Sequence, residues 1–171
     1  YFTMRIEPPL SPAPEDVSRR EMVFVIDRSG SMRGEPLADT RRFVKQALRN
    51  LRPDDRFRVV TFSDSSEEFS RRAVPATDAY VEMAIDYVDR LEARGGTEIH
   101  DGIERAFRAE LPEGTLRLVT FLTDGQVSNE FKAAKRLQQL VGGARTFAVG
   151  VGGDPNQFML EEMGRVGRGF T

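Results

Sequence analysis

Residues 22–26 read Met22-Val23-Phe24-Val25-Ile26, and Asp27-Arg28-Ser29-Gly30-Ser31 follows without a break. Successive side chains of a strand point to opposite faces, so five apolar residues in a row suit a strand buried on both sides. The switch to Asp, Ser and Gly then marks a polar turn at the carboxyl end of that strand.

The same grammar recurs outward. Residues 35–51 place Leu37, Val44, Leu48 and Leu51 near helical spacing, and Pro36 suits a first helical turn. Residues 57–62 are predicted as a second strand. Residues 69–74 are predicted as a short edge strand stopped by Pro75. A helix is predicted over 77–91, with Val81, Ala84, Ile85, Val88 and Leu91 on one face. Gly95-Gly96 breaks the chain before a helix over 99–111, whose Ile99, Ile103, Ala106, Phe107 and Leu111 face inward. Core strands are expected at 116–122 and 146–151, with helices at 129–141 and 155–163 and an incomplete strand from Gly169. Alternating strands and helices imply crossover connections and a mostly parallel sheet. The expected class is α/β, a doubly wound sheet flanked by helices on both faces with one short antiparallel edge strand. Residues 1–20 read as a leader: Phe2, Met4 and Ile6 alternate as a strand does, and Pro8, Pro9, Pro12 and Pro14 stiffen the remainder of it. Residues 21–171 form the expected domain, with its last strand and helix cut short.

Composition narrows the function. The 171 residues are 39% hydrophobic and 30% charged, which is globular and too apolar for disorder. A chain of this length buries roughly 70% of its unfolded surface, so it needs no disulfides. There is no cysteine, which excludes thiol catalysis and Cys-zinc sites. No apolar run approaches the ~18 residues of a membrane span, and no signal-peptide pattern opens the sequence. The 25 basic residues, of which only three are Lys, stand against 27 acids for a net charge of −2, without the basic excess of a nucleic-acid binder. The pairs Arg19-Arg20, Arg41-Arg42 and Arg71-Arg72 read as solvated faces.

Ligands of open parallel sheets bind beyond the carboxyl ends of the strands. Three loops there carry polar groups: Asp27 to Ser31, Gly95-Gly96-Thr97, and Thr123-Asp124-Gly125. In an extended or gently turning segment the two-residue spacing of Asp27, Ser29 and Ser31 turns all three side chains the same way. With Thr97 and Asp124 they make two carboxylates and three hydroxyls, all hard oxygen donors. Such a set suits Mg²⁺, Mn²⁺ or Ca²⁺ and not zinc or copper. If the hydroxyls bind directly and the acids act through water, the ion stays electron-poor and favours an outside carboxylate.

Asp27-Arg28-Ser29-Gly30-Ser31, then Thr97, then Thr123-Asp124-Gly125 resembles the metal-ion-dependent adhesion site of von Willebrand factor type A domains. The resemblance covers about residues 21–171. It is closest to bacterial relatives of inter-alpha-trypsin inhibitor heavy chains, in which such a domain follows a VIT domain. Residues 34–37 (Gly-Glu-Pro-Leu), 51–57 and 121–125 carry that closer match. The resemblance implies a Rossmann-like fold with Mg²⁺ (or Mn²⁺ or Ca²⁺) at its top. Ser29, Ser31 and Thr97 would be direct ligands, and Asp27 and Asp124 would hold coordinated waters. It also implies a non-enzymatic adhesion or assembly module inside a larger multidomain protein, secreted or on a surface, whose protein ligand offers a Glu or Asp carboxylate. Arg28, Arg33, Glu98, His100, Gln126 and Asn129 would set specificity around the rim.

Competing readings stand beside this one. Asp27 to Ser31 is also an ordinary strand-end turn, and Thr97 is also placed to cap the helix starting at Ile99. His100, the lone histidine, has no Ser or Cys partner and reads as a surface side chain near the site. Gly150, Gly152 and Gly153 read as a tight turn, not a dinucleotide loop, and Met159 and Met163 as core filler. A Mg²⁺-dependent phosphatase of the haloacid dehalogenase type would also place an Asp after the first strand, but its second acid would fall at Ser29. A passive scaffold with a degenerate site is the third alternative.

Overall fold

A computed structural model describes residues 18–127 and 130–171. Residues 1–17 of the expected leader (1–20) and Asn129 lie outside the described residues. The quoted apolar run is the heart of β1 (Arg19–Asp27), which lies between β2 (Arg56–Phe62) and β5 (Thr115–Thr123), parallel to both. β6 (Arg145–Gly150) adds in parallel beside β5, giving the order β3-β2-β1-β5-β6. Between the strands run α1 (Glu35–Arg49), α2 (Asp78–Asp89), α3 (Ile99–Arg108) and α4 (Glu130–Leu140), with α5 (Gln157–Val166) after β6.

Alternation along the strands builds two cores. Val23, Val25, Val60, Phe62, Val119 and Phe121 face α3, α4 and α5, while Phe24, Ile26, Phe57 and Val59 face α1 and α2. Each buried aliphatic or aromatic side chain contributes on the order of 1.5–3 kcal/mol. Met159 and Met163 are core residues, as expected. Pro36 sits in the first turn of α1, and Thr77 caps α2 by accepting from the Tyr80 N–H.

The edge differs from expectation. Two short strands flank the predicted one, β3 (Ser66–Glu68) and β4 (Val74–Pro75), both antiparallel to β2. Phe69 turns its ring inward, stacked 6.2 Å from Phe57 and 5.7 Å from Tyr87. Ser70 Oγ then donates to the Arg72 carbonyl at 2.8 Å and bends the chain. Pro75 joins a strand instead of stopping one, because an edge position tolerates a missing N–H.

Of the arginine pairs read as solvated, Arg20 departs from that reading, and two further arginines are buried in strands. Arg20 forks onto buried Asp55, with Nε 2.8 Å from Oδ1. Arg58 and Arg117, each within an apolar strand, are buried and close the carboxyl end of α3. Arg58 donates to the carbonyls of Arg105 (2.7 Å) and Ala106 (3.1 Å), and Arg117 to those of Phe107 (3.3 Å) and Ala109 (2.7 Å). A helix end leaves its last carbonyls without intrahelical partners, and these guanidiniums supply them. Beyond α5, Phe170 lies along β6: its carbonyl accepts from Ala148 N at 3.2 Å and its ring meets Phe147 edge-on.

Candidate metal centre

β1 feeds α1 and β2 on one side of the sheet, whereas its neighbour β5 feeds α4 and β6 on the other. Chain direction therefore diverges between β1 and β5, and the loops leaving their carboxyl ends part to form a crevice. Asp27 ends β1 and Asp124 follows β5, one on each lip of that crevice.

Asp27 is fully buried. Its Oδ1 accepts from Ser29 N at 2.8 Å, and its Oδ2 from Thr123 Oγ1 at 2.7 Å. Burial pushes its carboxyl up from the ordinary 3.8, the Ser29 and Thr123 donors pull it back, and the Asp124 charge pushes it up further. The net direction is upward. The neighbouring cation does not relieve it, since the buried Arg28 guanidinium is directed to Glu67, with Nη2 2.6 Å from Oε1.

The hydroxyls gather beside this acid. Ser29 is buried and Ser31 exposed in the turn Gly30–Met32, and their Oγ atoms are 3.1 Å apart. The Thr97 loop is clipped to that turn by Gly30 N donating to the Gly95 carbonyl at 3.0 Å and Arg94 N to the Arg28 carbonyl at 2.7 Å. Asp64 Oδ1 holds the same loop from beyond β2 by accepting from Gly96 N at 2.6 Å. Thr97 is half-buried and does not cap α3, whose N-cap is Glu98 without a side-chain cap bond. Among the described residues its hydroxyl has no hydrogen-bond partner, which leaves it available for another role.

Asp124 is buried at the other lip. Its Oδ1 accepts from Gln126 N at 3.0 Å and its carbonyl from Asn156 N at 2.8 Å. Gly125 follows at φ +73, where an added Cβ would stand 2.9 Å from Asn156 Cβ, so only glycine lets this turn approach α5 so closely.

Asp27, Ser29 and Ser31 are thus joined by direct bonds, Asp124 acts on Asp27 through its charge, and Thr97 lies on a loop bonded to their turn. Sequence reasoning missed Thr123 as a supporting residue, along with Asp64, and it placed Arg28 on the rim as a specificity residue, whereas the side chain is buried and directed to Glu67. The signal for Thr123 was its place immediately before Asp124 at a strand end. Among the described residues, no three His, Cys, Asp or Glu side chains form a cage, so any cation here relies on hydroxyls. Two like charges, one fully buried without a facing cation, next to paired hydroxyls, fit a hard divalent ion.

The family model described as von Willebrand factor type A domain matches residues 20–171. Inter-alpha-trypsin inhibitor heavy chain H4 of Bos taurus is 33% identical over 166 residues, covering 88% of this chain and 18% of that protein. The chain therefore spans less than a fifth of that curated relative. Among solved structures, the von Willebrand factor type A protein of Catenulispora acidiphila superposes with a TM-score of 0.77 at 22% identity, covering 89% of this chain and 38% of that one. The manganese-loaded TRAP protein of Plasmodium vivax gives 0.74 at 18% identity, covering 85% and 62%.

Proposed function

We propose that this chain, which belongs to the von Willebrand factor type A domain family, is a divalent-cation-dependent protein-binding module used in adhesion or assembly. Ser29, Ser31 and Thr97 would hold Mg²⁺, or Mn²⁺ or Ca²⁺ in its place, and Asp27 and Asp124 would steady it through water. The bound ion would supply an electrophilic coordination point for a Glu or Asp side chain of a protein partner. What this chain's own residues do is hold hydroxyls in place, bury one acid against another, and keep the nearest cation occupied elsewhere.

The observation carrying the reading is the fully buried Asp27 carboxylate, faced by a like charge and oriented by Ser29 N and Thr123 Oγ1, each of its oxygens keeping a lone pair for a metal-bound water. A buried charge is costly unless something offsets it, and a cation at the crevice offsets two acids at once. The manganese in the similar Plasmodium vivax protein supports the same reading. Ser29 stands where a haloacid-dehalogenase-type phosphatase would carry its second acid, which argues for a non-enzymatic role. The setting is a larger multidomain protein, extracellular or surface-exposed. Among the described residues, no helix is long and apolar enough to cross a membrane.

Calorimetry with Mg²⁺ and Mn²⁺ tests this. Asp27→Asn and Asp124→Ala should each abolish measurable binding while circular dichroism shows an unchanged fold. Equal affinity in parent and both variants would refute the assignment, and a parent that binds neither ion would leave only a scaffold.

A further inference from the structure

Far from the metal residues, at the opposite rim of the sheet, lies an open groove of about 1100 Å³. The amino ends of β1, β2 and β5 form its floor. The end of α3 and the chain between β3 and β4 form its walls. Arg56, Arg71, Arg72, Arg105 and Arg108 line it against only two carboxylates, Glu21 and Glu110.

Local acids do not neutralise these arginines. Glu68 alone serves three guanidiniums, at 2.9 Å from Arg58, 3.5 Å from Arg105 and 2.6 Å from Arg108. Among the described residues, the Arg56 side chain donates only to the Ala73 carbonyl. Arg71 and Arg72 are exposed, and their side chains make no ion pair or hydrogen bond among the described residues. The carbonyls at the end of α3 would lend this rim negative potential, but Arg58 and Arg117 already take them.

The floor adds a second feature. Glu21 is 2% exposed and spends Oε2 on both bonds from Arg117, at 3.1 and 2.9 Å. Its Oε1 is buried without a donor among the described residues, so the Glu21 charge is directed to Arg117 and away from the exposed arginines. Leu111 and Pro112 give the groove an apolar side.

We propose that this groove binds an acidic peptide segment without metal. Two or more Asp or Glu side chains would meet the guanidinium forks of Arg56, Arg71 and Arg72, which match carboxylates in bidentate fashion. A peptide also brings aliphatic stems toward Leu111 and Pro112. A uniformly charged polyanion has no apolar stems to set against Leu111 and Pro112, which a peptide supplies.

Fluorescence polarisation of a labelled Glu-rich peptide, recorded in EDTA with the intact chain, tests the proposal. EDTA silences the metal centre, so the two sites are read separately. Binding should persist in Asp27→Asn, weaken as salt rises, and fall roughly tenfold or more, ~1.4 kcal/mol, in Arg71→Glu/Arg72→Glu. Those arginines are exposed and unpartnered, so the variant should keep its thermal stability. Absence of binding, or equal affinity in the double variant, would overturn the proposal. Competition by a short oligonucleotide or a sulfated oligosaccharide at lower concentration than the unlabelled peptide would overturn the peptide assignment.

Discussion

Thr123 Oγ1 donates to Asp27 Oδ2 at 2.7 Å across the carboxyl ends of two adjacent parallel strands, and the same oxygen accepts from Gly125 N at 2.9 Å. One buried hydroxyl therefore joins the acid of β1 to the turn that carries Asp124. Thr123→Val keeps the shape and removes both bonds, leaving a buried carboxylate oxygen and an amide unpaired. Urea unfolding should show a loss of about 1–3 kcal/mol, and Mn²⁺ affinity should fall as well. A variant as stable as the parent would show the bond to be incidental.

Asp55 makes one defined contribution to the pH dependence of stability. Burial would raise its carboxyl, but the hydrogen-bonded Arg20 guanidinium, the Arg52 N–H at 2.8 Å and the charges of both arginines win, and it sits below its ordinary 3.8. The folded chain therefore binds the proton less readily than the unfolded one. The resulting stabilisation is present above about pH 4 and is lost as pH falls through the lowered folded value. Asp55→Asn should be less stable than the parent at pH 7 by about 1–3 kcal/mol, with the gap closing at pH 3. A gap of constant size at both pH values would contradict this account.

Arg117 is 5% exposed and Glu21 2%. Arg117→Met strands a buried carboxylate and unseats the carbonyls of Phe107 and Ala109. The cost should be about 3–5 kcal/mol in denaturant, and adding Glu21→Met should recover much of it, because a missing pair is cheaper than a lone charge. If the double variant is no more stable than the single one, the buried charge is not the source of the loss.

Gly95 has φ +75, and a Cβ there would overlap the Asp64 carboxylate. Gly95→Ala should cost about 1–2 kcal/mol in backbone strain. It should also push Asp64 off Gly96 N, loosen the Thr97 loop and weaken Mn²⁺ binding. Retained Mn²⁺ affinity, measured beside thermal stability, would free Thr97 from any dependence on that clip.

The central strands were legible because Met22 to Ile26 and its counterparts are apolar on both faces, as a helix-covered parallel sheet demands. Their ends were less so: Arg19 joins β1 by pairing with Thr115, which no run of apolar residues announces. The segment around Phe69 was misread because its ring is a core residue of a bend, and a six-residue window cannot separate that from a strand. Arg58 and Arg117 were invisible as helix-end partners, since the carbonyls they satisfy lie 8 to 48 positions away. Asp27, Ser29 and Ser31 could be grouped from their spacing alone, whereas Thr123 acts through a strand pairing that spacing does not reveal.

Diffraction from crystals grown with Mn²⁺, recorded at the manganese edge, asks the decisive question. The account predicts one strong anomalous peak in the crevice between β1 and β5, within bonding distance of the Ser29, Ser31 and Thr97 hydroxyls, with Asp27 and Asp124 one water away. A fully occupied Mn²⁺ elsewhere on the chain, or an empty crevice at saturating ion, would contradict it.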